Sequence, residues 1–68
     1  MSEWKKVRDE FPEGERKVEI VGYWTLCCEA DAVAEISILK GTYNAVTAVF
    51  EAGDGYFILP FYWRYLDE

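Results

Sequence analysis

The sequence predicts one mainly β domain over residues 1–68: a small antiparallel sheet of four to six strands, a meander curled into a sandwich or open barrel, with at most one short helix. Three observations predict it. Segments of alternating apolar and polar residues recur along the chain, and turn residues separate them every 8 to 12 positions. The composition is 51% hydrophobic and 18% aromatic, far from that of a disordered chain. At 68 residues there is material for one core and no second domain.

Trp4 to Val7 reads as a short strand, closed by Arg8-Asp9-Glu10. Phe11-Pro12-Glu13-Gly14-Glu15 is a turn, because Pro12 steers Phe11 from helical angles and Gly14 tolerates positive φ. In KVEIVGYW, Val18 and Ile20 alternate with Lys17 and Glu19, the mark of a half-buried strand, and Gly22 signals a bulge or bend. Thr25 to Leu39 is ambiguous: a helical turn fits around Glu29 to Ala34, whereas Val33 to Leu39 alternates as a strand. Lys40-Gly41 then reads as a tight turn, and Thr42 to Phe50 as a strand rich in β-branched and aromatic residues. Gly53-Asp54-Gly55 is the strongest hairpin signal. Tyr56 to Leu59 and Phe61 to Tyr65 are strands on either side of Pro60, which marks a break or an edge position.

Composition also excludes chemistry. With no histidine, the chain lacks the commonest general base and metal ligand. No phosphate-binding glycine loop occurs, and no carboxylate pair stands out among 13 scattered acids. The expectation is a non-enzymatic protein without cofactor or metal. Cys27 and Cys28 are neighbours, and a disulfide between them falls far from the usual Cα spacing of about 5.5 Å. They read as reduced thiols with at least one in the core. No stretch suits a membrane helix or a secretory h-region, so the expected compartment is a reducing cytosol.

Charge is the most informative feature. Net charge is −6, and after residue 28 only Lys40 and Arg64 oppose seven acids, although most of the aromatics lie there. Such a segment repels phosphate, so direct nucleic-acid binding is not expected. An acidic surface is instead drawn to a basic groove and can mimic the phosphate backbone that the groove ordinarily holds. The expected acidic face is Glu29, Asp31, Glu35, Glu51 and Asp54, with Tyr56, Tyr62 and Tyr65 as candidate aromatic anchors. The same charge also serves solubility alone.

Both ends carry a pattern. The chain opens Trp4-x-x-Val7-x-Asp9-x-x-Pro12-Glu13, and later runs V-T-A-x-F from Val46 to Phe50, a glycine turn and aromatic, then Tyr62-Trp63-x-x-Leu66. This resembles a family of small phage and prophage proteins, catalogued as a domain of unknown function, that open W-x-x-V-x-D-x-x-P-E and close H-W-x-x-L-P-E-P-P. Tyr62 stands at the family's histidine, Asp67 stands at the proline after Leu66, and there is no Pro-Pro tail. The resemblance implies phage or mobile-element origin, action in the bacterial cytosol and a compact β-rich fold. It favours an inhibitor of a host defence complex, for instance an anti-CRISPR protein whose partner is a host protein with a basic, nucleic-acid-binding surface. Trp4, Val7, Asp9, Pro12 and Trp63 are read as fold-specifying. Two other functions remain open: sequestration of a signalling nucleotide, and a structural accessory protein that forms a homodimer rather than a monomer.

Overall fold

The computed structural model describes residues 3–27, 31 and 33–66. It is all β, with five antiparallel strands in one sheet: β1 (Lys5–Lys6), β2 (Lys17–Leu26), β3 (Glu35–Asn44), β4 (Val49–Ala52) and β5 (Gly55–Tyr65). Their order is β1-β5-β2-β3-β4, and β4 also pairs with β5, which closes β2 to β5 into a small barrel. No helix is present among the described residues, and hence none long and apolar enough to cross a membrane.

β2 forms because Val18, Ile20 and Trp24 share one side of an alternating segment, and burying that side organises the domain. Val18 and Ile20 are fully buried with Tyr43, Phe50, Ala52, Phe57, Trp63 and Tyr65, and Val7, Trp24 and Leu39 pack on this core. β5 bends around it. Between the pairs Trp24↔Phe57 and Val21↔Tyr62 its register slips twice, leaving Ile58 and Phe61 without partners on β2. Bulges of this kind sharpen strand twist, so β5 meets β4 at Gly55 and Tyr56 and β1 at Tyr62 and Trp63. Gly22 permits the second slip, since a Cβ there would lie 2.4 Å from the Leu59 carbonyl oxygen.

Three expectations need correction. Pro60 does not break a strand: it lies inside β5 opposite Gly22, after the contact with β4 and before that with β1, where β5 has a locally free edge. At that point no second strand requires its missing N–H. Lys40-Gly41 is not a turn, because β3 runs straight through it and Gly41 pairs with Val18. The turn comes later, at residues 45 to 48, within the segment expected to be strand. Asn44 sets it, its Oδ1 accepting from the amides of Val46 (3.0 Å) and Thr47 (3.3 Å). The helical turn expected at 29 to 34 lies in part, at residues 29, 30 and 32, outside the described residues.

Ala48 ends this turn with φ of 59°, a left-handed conformation costly for a residue with a Cβ. Ala48→Gly removes that strain but also loosens the unfolded chain, so a net gain of about 0.5–1 kcal/mol is expected. Calorimetry should then record a melting temperature a few degrees higher; a lower one would show that Ala48 is unstrained.

Candidate functional site: the acidic hairpin end

The hairpin joining β4 to β5 turns on Gly53 and Asp54. Gly53 has φ of 58° and Asp54 does not take positive φ, the arrangement of a type II′ turn that continues the twist of its strands. The hairpin is tied to the end of β2: the Trp24 Nε1–H donates to the Ala52 carbonyl at 3.1 Å, and the Cys27 amide donates to the Asp54 carbonyl at 3.0 Å. Cys27 itself is exposed, and Cys28 lies outside the described residues.

Beside the hairpin, β3 pairs with β4 only at Thr42, Tyr43 and Asn44. The earlier part of β3 therefore has no strand on that edge, and a groove opens between it and the hairpin. Trp24, Leu26 and Leu39 give this groove apolar walls, while Glu35, Asp54 and Lys40 supply charge. A second shallow groove adjoins it, lined by Glu51, Tyr56, Thr47 and Val49, with Gly53 and Asp54 shared between the two. Glu51 lies directly across from Tyr56 in the register of β4 and β5. Glu35, Glu51, Asp54 and Tyr56 are all exposed.

The expected acidic face is thus partly assembled. Glu35, Glu51 and Asp54 converge around the hairpin, and Lys40 is the sole base lining either groove. Asp31 is exposed on the β2–β3 connection and lines neither groove, and Glu29 lies outside the described residues. Of the three candidate anchors, only Tyr56 stands here. Tyr62 occupies another face, beside Trp4, Val21 and Ile38. Tyr65 is not an anchor: it is 9% exposed in the core, edge-on to Trp63 at 4.8 Å, and its hydroxyl accepts from the Glu13 amide at 2.8 Å.

Sequence reasoning passed over Trp24 and Leu26. The signal was available, since Trp24 continues the Val18, Ile20 alternation to the far end of β2, where the barrel wall opens.

The opening motif lies against β5 near Trp63. Trp63 is 1% exposed, and its Nε1–H donates to the Glu10 carbonyl at 2.9 Å. Val7 packs on the core and donates from its amide to the Phe61 carbonyl at 3.1 Å, and Pro12 is buried. The Asp9 amide donates to the Lys6 carbonyl at 3.0 Å. Trp4 is partly exposed, with the Arg64 guanidinium 4.4 Å above its ring. Lys6 and Arg8 line a groove with Pro60, Phe61 and Tyr62, so this end brings bases to aromatics that are remote from them in sequence. Among the described residues, no group of three or more metal-ligating side chains converges.

No protein family, curated protein or solved structure matches this chain.

Proposed function

We propose that this domain is a non-enzymatic protein-binding module whose acidic hairpin end docks on a basic surface of a partner. One observation carries the reading: Glu35 from β3 joins Glu51 and Asp54 of the β4–β5 hairpin around a pair of grooves that also contain Tyr56, Trp24 and Leu26, with Lys40 as the only base. An apolar floor with a charged rim is the anatomy of a docking surface. The acids steer a basic partner and set its register, and Tyr56 with Trp24 provides area that water leaves on contact. A basic groove shaped for a phosphate backbone meets these demands. In the phage setting implied by the resemblance, the partner is a nucleic-acid-handling defence complex, and the domain inhibits it by occupying that groove.

The test is charge reversal in pairs. Glu35→Lys with Asp54→Lys is expected to retain the fold, since both side chains are exposed. Capture of a nucleic-acid-handling protein from host lysate should weaken by at least about tenfold, and its dependence on salt should flatten. Equal capture by wild type and variant at low salt would overturn the reading.

A further inference from the structure

The outer face where β3, β2 and β5 run side by side has no covering layer. Val21 lies between Ile38 and Tyr62, and Tyr23 lies between Ile36 and Leu59. Ile36 and Ile38 are 62% and 61% exposed, and Leu59 is 52% exposed. Trp4 extends the first row by closing a shallow apolar depression with Val21, Ile38 and Tyr62. Phe61 adds to the second, edge-on to Tyr23 at 5.8 Å. An antiparallel sheet with one solvated face ordinarily alternates apolar and polar residues. Here the outward positions are apolar too, and they expose roughly 600 Å² in one patch, at the upper end of what a monomer shows.

We propose that this face binds the same face of a second copy, giving a symmetric two-layer sandwich. Charge favours that occupant. The chain carries −6, yet neither apolar row contains an acid. One bordering row is Lys40, Glu19 and Arg64, in which the Arg64 guanidinium pairs with Glu19 at 2.7 Å; the other is Thr25 and Tyr56, with Glu51 beyond them at the rim. Two acidic copies can therefore meet here without placing acid against acid in the contact, while a strongly basic partner finds nothing to pair with. Area agrees: the patch taken twice gives roughly 1,200 Å², the lower bound for a specific, stable interface. A two-fold axis along β2 sets the aliphatic side chains of β3 in one copy over the β5 side chains of the other, as in the inner layers of a sandwich.

Sedimentation velocity from about 1 µM to about 500 µM tests this, with a monomer-to-dimer midpoint expected at about 10–100 µM. Added salt should tighten the dimer by screening the repulsion between two acidic copies, the opposite of its effect at the acidic hairpin end. Ile36→Lys with Ile38→Lys should keep the wild-type melting temperature within a few degrees and weaken self-association at least about tenfold. Leu59→Lys should do the same from a different strand. Glu35→Lys with Asp54→Lys should leave self-association unchanged or tighter, so the two surfaces are judged separately. A monomer throughout the concentration range, or a dimer that survives the substitutions on both β3 and β5, would overturn the proposal.

Discussion

Gly41→Ala is expected to remove a large part of the domain's stability at 25 °C. Gly41 lies in the middle of β3, where a Cβ would sit 2.0 Å from the Glu51 carbonyl oxygen, 2.9 Å from its carbon and 3.0 Å from the Ala52 Cα. All three obstacles are backbone, so no rotamer change relieves the clash and β4 must move as a unit. β4 is only four residues long and carries Phe50 and Ala52, which are 1% and 4% exposed. Its displacement withdraws both from the core and breaks the contact with β5 that closes the barrel. Overpacking with loss of core contacts costs about 3–5 kcal/mol. A domain of this size has only about 3–10 kcal/mol in total. Circular dichroism and amide dispersion in NMR spectra provide the check. A folded variant melting within about 5 °C of wild type would show that β3 and β4 can separate at little cost.

Trp63→Ala is expected to cost about 4–5 kcal/mol, the upper range for removing a large buried ring. Trp63 is among the largest fully buried side chains, and three elements depend on it. It is the β5 partner of both Ile20 on β2 and Lys5 on β1. Its indole holds the Glu10 carbonyl, and it faces the Tyr65 ring, whose hydroxyl holds the Glu13 amide. The connection between β1 and β2 is therefore strapped to this pair of rings. Trp63→Phe keeps most of the apolar volume and loses the hydrogen bond, so a smaller cost of about 1.5–3 kcal/mol is expected. Urea midpoints measure both. Faster tryptic cleavage at Arg8 or Arg16 in the folded Trp63→Phe variant would place the loosening in this connection; cleavage at the wild-type rate, with only a small change in midpoint, would contradict the strap.

Local pattern and fold agree best where side-chain alternation decides. Lys17 to Trp24 reads as a strand because its apolar positions fall at period two, and burial of Val18 and Ile20 follows the same period. Gly53-Asp54 reads as a hairpin because glycine meets the conformational need of the turn itself, a demand made within a few residues. Gly41 deceives for the opposite reason. Its missing side chain answers the approach of Glu51, ten positions onward, and not a local turn. Tyr65 and Tyr62 are three residues apart in one strand, and its alternation sends one inward and the other outward, which becomes legible only once the strand's buried face is known.

Charge behaves in the same way. Along the chain, the aromatic C-terminal segment is acid-rich and nearly free of bases. In the fold, β1 lies against β5 and brings Lys5 to 5.6 Å from the Trp63 ring, while Arg16 sits 3.7 Å over the Tyr65 ring. Glu35, Glu51 and Asp54 come together elsewhere, around the hairpin.

The sequence by itself determined the β class, the path of β2 and the hairpin at Gly53, because each follows from composition or from interactions between near neighbours. Only the tertiary structure decided that β3 continues through Gly41, that Pro60 lies within a bent β5, which acids stand together, and that an apolar face is left outside. Those outcomes depend on which strands become neighbours, and neighbour choice is made by burying one shared core across long stretches of chain.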